Sequence, residues 1–308
     1  MAIAGRSLRD LGTLTIEKAE RQDWLEPIAD RLQRAVVAVY EAGGVTGRRV
    51  RDFLHGTWLG HPLHPVLTDV PLGAWTVAVT LDAIDQDRGW WRRRNRAAEA
   101  AIGVGLVGAV GAAVTGLTDW QHTAAEDRRV GLLHGLLNLS ATGLFATSLM
   151  LRLRGERDAG RATAGLGFAV ALGAAYLGGH LVYRKQIGVD HAPRTEWTDF
   201  VAVLPESDLR ESEARRVEVR GVAVVLVRRA GRIHALADRC AHLGGPLSEG
   251  SVDDVGIRCP WHGSRFALDD GRILEGPSTF RQPCFEARVV GGQIEVRGSS
   301  PKTSAISS

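Results

Sequence analysis

Cysteine is scarce in this chain: three residues among 308. With two of them claimed by the chemistry described below, a disulfide framework has no material to build on. A dominant charge is lacking too. Lys and Arg number 38 against 35 Asp and Glu, a formal net of +3. That balance, with a pI near 9.0, suits a basic surface beside a membrane and gives no nucleic-acid footprint. No nucleic-acid motif and no internal repeat is evident. The first 21 residues are polar and contain no apolar core of a secretory signal. No histidine occurs in residues 263–308. A mononuclear iron site of two histidines and a carboxylate therefore has no place after His262.

What is present is concentrated in two places. The first is Cys240-Ala-His242 and Cys259-Pro-Trp-His262. Thiolates are soft ligands that suit iron–sulfur clusters, and imidazole suits iron as well. Each Cys-to-His step is short, so each loop can give one ligand to each of two irons. Cys240 and Cys259 are assigned to the buried iron, and His242 and His262 to the outer iron, on an exposed rim that would form the exit or entry face for electrons. The gap between the loops is long enough for a hairpin that brings them face to face. Gly244, Gly245 and Gly263 supply unusual backbone angles and close approach to the cluster. The competing reading is a Cys2His2 zinc site, but the ligands alternate Cys, His, Cys, His, and the flanking strand pattern suits a zinc finger poorly. Cys284, after Pro283, reads as a small half-buried hydrophobe.

This region, about 195–298, resembles Rieske [2Fe–2S] domains, in which two histidines replace two cysteines on one iron. Strand-like runs at 200–204, 216–219, 222–227 and 232–237 precede the loops, and 285–290 and 293–297 follow them. Gly291-Gly292 between the last two is a hairpin signal. Glu275-Gly276-Pro277 is similar to the proline-bearing loop that closes over the cluster in that family. The resemblance implies a small antiparallel β-sandwich and one-electron transfer. Respiratory members carry an additional cysteine in each loop; Gly245 and Trp261 stand there, so the chain is closer to ferredoxins of ring-hydroxylating oxygenases. The resemblance also gives Ser264 a hydroxyl donor role toward a cluster sulfide. Phe266 replaces a frequent second donor, tyrosine, which implies a low to intermediate potential within the roughly −150 to +300 mV Rieske range. The missing downstream histidines argue strongly against a complete Rieske oxygenase.

The second concentration is apolar. Stretches at 65–84, 97–117, 130–151 and 162–183 each have about the ~20 residues that cross a hydrocarbon core. Few charges interrupt them, Arg-rich connectors separate them, and Trp90, Trp91, Trp120 and Tyr183 sit at their borders, as in an interfacial belt. Glycines such as Gly105, Gly108, Gly165 and Gly167 permit close helix packing in lipid. His61-Pro62-Leu63-His64-Pro65, with Asp69 to Trp75 after it, resembles an uncharacterised family of bacterial four-helix membrane domains over about 53–190. Ahead of it, 1–45 is a polar N-terminus whose residues 22–42 form an amphipathic helix, either on the membrane surface or docked on the bundle. Residues 43–60 read as a basic connector and 299–308 as a disordered tail.

Ionisable groups within spans are costly and mark function. His61, His64, Asp69, Asp119, His134 and His180 all fall toward one end of a four-span bundle, the end from which the C-terminal domain hangs. They are a candidate site for a haem between His134 and His180, for a quinone or proton-coupled site using His64, Asp69 or His134, for a metal, or for a structural polar network. The expected fold class is therefore α + β in separate domains, a four-helix transmembrane bundle followed by a small all-β sandwich. The expected function is a membrane-anchored electron carrier rather than a complete enzyme. It would exchange electrons with a reductase, an oxygenase or the quinone pool. A quinone- or haem-linked oxidoreductase subunit and a redox sensor are the rivals. Arginine counts at the span ends place the cluster domain outside. The ferredoxin-like cluster and the absent signal place it in the cytoplasm, the side preferred here.

Overall fold

The computed structural model describes residues 16–18, 20–85, 96–194 and 197–298. Trp90, Trp91, most of the first Arg-rich connector, the tail 299–308 and most of the polar N-terminus lie outside the described residues. The chain divides into two compact units, one of residues 1–50 and 63–187, the other of residues 51–62 and 188–308. Residues 51–62, which precede the first span in sequence, thus group with the C-terminal unit.

In the first unit, helix α1 (Glu26–Ala42) has Pro27 in its first turn, where the missing N–H costs nothing. Its apolar stripe meets the bundle: Leu25, Ala29 and Leu32 pack with Trp120 and Leu132. Polar bonds fix the same contact. The buried Gln33 amide donates to the carbonyls of Trp120 and Thr123 at 2.9 and 3.0 Å, and Arg128 pairs with Glu26. Helix α2 (Gly44–His55) follows at once, started by a left-handed Gly44 at φ 55°. The segment expected to be a connector is largely helical, because only the glycine hinge between α1 and α2 breaks the helix.

Four helices are long and apolar enough to cross a membrane by length and composition: α3 (Leu63–Asp85), α4 (Arg96–Trp120), α5 (Ala125–Leu153) and α6 (Arg157–Tyr183). Their outward faces carry large apolar side chains, among them Val66, Val77, Val107, Leu139, Leu166 and Leu172. Helices apolar on both faces are at home in lipid rather than water. Inside, Trp75 stacks on Phe145 with centroids 4.2 Å apart.

The bundle is an internal duplication, contrary to the sequence expectation of no repeat. Burial follows the same residue-by-residue pattern over residues 64–84 and 134–154, an offset of 70. Helices α4 and α6 match at an offset of 62. Trp75 of α3 seats against Gly105 of α4, and Phe145 of α5 seats against Gly167 of α6. Asp82 and Arg152 occupy equivalent places and pair with each other at 2.9 and 2.5 Å. Both hairpins run in the same sense, so the repeat is parallel, related by an axis along the bundle. It escapes the eye because two different offsets apply and most matched positions are Ala, Gly or Leu, which any span contains.

The second unit is antiparallel β. Strands β1 (Val201–Pro205), β2 (Ala214–Val219), β3 (Val222–Arg229), β4 (Arg232–Ala237), β9 (Cys284–Val290) and β10 (Gln293–Gly298) form one sheet in the order β1-β10-β9-β4-β3-β2. Strands β5 (Ser251–Val252), β6 (Gly256–Arg258), β7 (Arg265–Ala267) and β8 (Ile273–Glu275) form the second. The β-branched runs of β3 are buried throughout Val224–Val227, as expected of a central strand. Gly291-Gly292 turns β9 into β10 with both residues at positive φ.

Candidate metal centre

Two loops of the same construction carry the four candidate ligands. In the first, the Cys240 N–H donates to the Gly245 carbonyl at 2.9 Å and the Gly244 N–H to the Cys240 carbonyl at 2.9 Å. In the second, the Cys259 N–H donates to the Ser264 carbonyl at 2.9 Å and the Gly263 N–H to the Cys259 carbonyl at 3.1 Å. Gly244 and Gly263 both sit at φ 79°, left-handed backbone that L side chains rarely adopt. The β6–β7 hairpin presents the second loop, with Arg258 opposite Arg265 as its last strand pair.

Both cysteines are buried, at 1% and 3% exposure, and their thiols share a hydrogen bond. That bond, followed by burial, pushes Cys240 well above the ordinary thiol range. The same bond draws Cys259 down to about 7. Such a pair holds a proton between two sulfurs; an iron in its place deprotonates a coordinating thiol outright. The His242 and His262 rings lie edge to face, centroids 5.1 Å apart. Burial is the first cause holding both imidazoles below their usual range, and for His242 the neighbouring His262, His55 and His191 add to it. The neutral ring is the ligating form. The Nδ1 atom of each ring is buried and takes no hydrogen bond within the protein, while each ring keeps other contacts. Among the described residues, no group of three or more His, Cys, Asp or Glu side chains gathers around one point as a closed four-ligand zinc site requires. Two sulfurs together and two imidazoles together fit a two-iron cluster and do not fit one tetrahedral zinc.

Several supporting residues carry no spacing signature in the sequence. Gln282, 2% exposed, accepts from the Ala241 N–H at 2.9 Å and donates to the Ala237 and Arg239 carbonyls at 2.7 and 2.8 Å. One side chain from the closing loop thus pins the first cluster loop on both sides of Cys240. Arg258 donates to the Gly263 carbonyl at 2.8 Å and to Glu275 at 2.9 Å, bracing the second loop. Segments 51–62 and 188–192 reach the same end of the unit. His55 is 2% exposed, Asp52 and Thr57 lie against Gly276, and His61 meets Phe280 edge-on at 6.0 Å. The His191 N–H donates to the Ala241 carbonyl at 3.0 Å. The imidazole end, expected to be an open rim, is half-buried among these residues because the chain folds back over it. Trp261 is the exposed neighbour, 58% accessible.

The family model of the Rieske [2Fe-2S] domain matches residues 199–286, and the model of a predicted membrane protein family (DUF2231) matches residues 60–191. Ferredoxin CarAc of Metapseudomonas resinovorans is 35% identical over 100 residues, 32% of this chain and 94% of that protein. The chain belongs to the Rieske [2Fe-2S] family. The 3-phenylpropionate/cinnamic acid dioxygenase ferredoxin subunit of Escherichia coli K12 is 35% identical over 95 residues, 30% of this chain and 89% of the subunit. Human apoptosis-inducing factor 3 is 34% identical over 98 residues, 32% of this chain, but the chain spans only 16% of that protein's length. The C-terminal domain is thus a Rieske electron-transfer domain with a [2Fe–2S] cluster, joined to a domain of a predicted membrane protein family.

Gly245 shows how tightly this Rieske domain is fitted. A Cβ there would lie 2.9 Å from Cys259 Sγ and 2.9 Å from the Trp261 ring. Gly245→Ala is expected to lower cluster occupancy several-fold while leaving all four ligands in place; iron content per folded chain measures it. Full occupancy would show that the loop yields. Cys284 is half-buried, its thiol pushed up to about 12 by burial, which is the behaviour of a packing residue.

Of the sequence-predicted bundle residues, the structure brings together His64 and His134, with ring centroids 6.3 Å apart, and sets Asp119 within electrostatic range of His64. His180 instead lies 3.7 Å from Glu20, beside Lys185. A haem held between His134 and His180 has no support in this arrangement, because His134 faces His64. His61 belongs to the Rieske unit and Asp69 is exposed.

Proposed function

We propose that this protein is a membrane-anchored Rieske electron carrier, passing single electrons between a soluble reductase and an acceptor at the membrane. The observation that carries this reading is the pair of matched loops in one chain with four helices long and apolar enough to cross a membrane. The cluster, when bound, takes up and releases one electron at a time. The protein's part is to hold two thiolates and two neutral imidazoles in place, to keep water from the sulfur side, and to set the potential through second-shell hydrogen bonds.

Ser264 is the residue placed to do the last of these. It is fully buried, and its Oγ accepts the Ser278 N–H at 3.0 Å. The hydroxyl proton is then left to donate, and a cluster sulfide is the acceptor we assign it. A hydrogen bond to a charged group contributes about 1.5–3 kcal/mol. Ser264→Ala is therefore expected to lower the potential by roughly 60–130 mV, at 59 mV per tenfold for one electron. An unchanged midpoint in protein-film voltammetry would place the proton elsewhere.

The relative named as a dioxygenase ferredoxin subunit supports an oxygenase as the acceptor, with a reductase as the donor; the apolar helices add the quinone pool as a second acceptor. Thiolate ligands without a disulfide suit the cytoplasmic side, which we assign to the Rieske domain. The test is carried out on inside-out and right-side-out vesicles containing the full chain. NAD(P)H with a soluble ferredoxin reductase should reduce the cluster only in inside-out vesicles, as read by EPR. Reduction by added quinol alone, with none from the reductase, would make the protein a quinone oxidoreductase subunit. Redox-dependent protease accessibility without turnover would make it a sensor.

A further inference from the structure

The repeat in the bundle preserves one ionisable residue. Between 63–84 and 133–154 the matched identities are Leu63/Leu133, His64/His134, Leu67/Leu137, Gly73/Gly143 and Leu81/Leu151. Every other matched polar position has changed: Thr68 faces Asn138, and Asp82 faces Arg152. Only the histidine is polar and kept in both halves, in a setting where a polar side chain is costly.

Its surroundings are kept too. His64 Nδ1 lies 2.9 Å from the Ala112 carbonyl of α4, and His134 Nδ1 lies 2.8 Å from the Ala174 carbonyl of α6. Ala112 and Ala174 are equivalent at the offset of 62. So are Gly116 and Gly178, the seats of the two rings: a Cβ at either would lie 2.8 or 3.0 Å from the imidazole Cε1. A carbonyl only accepts, so Nδ1 carries the hydrogen in both rings, and in the neutral form the lone pair is on Nε2. Histidines that ligate metals are held in this way, the second nitrogen donating to a backbone carbonyl. Thr115 Oγ1 stands 3.5 Å from His64 Nδ1, and the Asn138 amide, which donates to the His134 carbonyl at 2.9 Å, reaches 3.2 Å from His134 Nε2.

The rings stand 6.3 Å apart, centroid to centroid, with their planes at 90°. With the two Nε2 atoms turned toward one another, two metal–imidazole bonds of about 2.0–2.1 Å in line, plus the ring radius on each side, would span roughly 6.3 Å. Bundle cofactor sites are built in this manner, from side chains on facing helices, and in parallel-repeat membrane folds ligands sit at the interface of the repeats. Asp119, near His64, supplies negative charge beside the same place.

We propose that His64 and His134 bind one metal centre through their Nε2 atoms, as the two imidazole ligands of either a haem iron or a bare transition-metal ion. The site is separate from the Rieske cluster and does not depend on it.

The test uses the full chain in mild detergent, as purified and after reconstitution in turn with hemin, Cu(II) and Zn(II). Haem is read by pyridine haemochrome, metal content by mass spectrometry, and the Rieske cluster by EPR. One haem, or one ion beyond the cluster's two irons, is expected per chain. It should fall at least tenfold in His64→Ala and in His134→Ala, with the cluster signal intact, and persist in His180→Ala. Haem in the wild type assigns the iron-porphyrin form; an ion without haem assigns the bare form. Should the single variants fold poorly, His64→Gly supplemented with free imidazole should regain binding. Wild-type protein that takes up none of the three, or binding indifferent to both substitutions, overturns the proposal.

Discussion

Cys259→Ala is expected to strip the protein of its cluster completely: no Rieske EPR signal, no visible absorption, and iron falling from two per chain to none at that site. The thiol is 3% exposed and bonded to Cys240, so its loss removes one of the two sulfurs on the buried side. Cys284, the remaining cysteine, sits on β9 with its sulfur directed at the Gln282 carbonyl, 3.7 Å away. It cannot substitute without breaking the strand. Metal binding at such a site is also folding free energy, so the loops of the variant should lose hydrogen-exchange protection. The bundle, a separate compact unit, should keep its helicity by circular dichroism. Retained iron at half stoichiometry or more would mean that the ligand set has been misassigned.

The Rieske domain was legible because the chemistry of its candidate ligands has a spacing. Four donors within 23 residues, Cys240 to His262, announce themselves whatever surrounds them. The four spans were legible for a similar reason, since lipid tolerates few charges over about 20 residues. What could not be read is the support. Gln282 lies forty residues beyond the loop it pins, and a glutamine in a turn looks like any surface residue. His55 reads as part of a basic connector, yet it is buried near His242, because the chain returns from a distant segment. The pairing of His64 with His134 rests on the duplication. Two offsets, 70 and 62, arise from unequal connectors, and Ala and Gly identities are too common in spans to reveal them. Once the repeat is seen, the partner of His64 follows from symmetry, whereas proximity to a span end had suggested His180.

The second large effect is expected at the far end of the same repeat. Asp82→Leu should destabilise the bundle by about 3–5 kcal/mol, the cost of breaking a buried ion pair on one side. Arg152 has 3% side-chain exposure and binds both carboxylate oxygens of Asp82, while Arg161 stands 3.8 Å away. Removing the carboxylate leaves the buried Arg152 guanidinium without its ion-pair partner in an apolar bundle, while Arg161 keeps Asp158 at 3.8 Å, and the desolvation cost of Arg152 is no longer offset. Asp82→Leu/Arg152→Leu should recover most of the loss, since the pair as a whole contributes less than either half left alone costs. The exchanged pair Asp82→Arg/Arg152→Asp adds a test that only the repeat predicts. The two positions are equivalent, so the ion pair can reform with its ends reversed. Recovery should be partial, because Arg152 packs its Cγ where a Cβ on Gly160 would come within 2.8 Å, and Ala98 stands at the matching place. Thermal unfolding of the four proteins in one detergent measures all of this. If the double leucine variant is no more stable than Asp82→Leu, the ion pair is not what the two hairpins share.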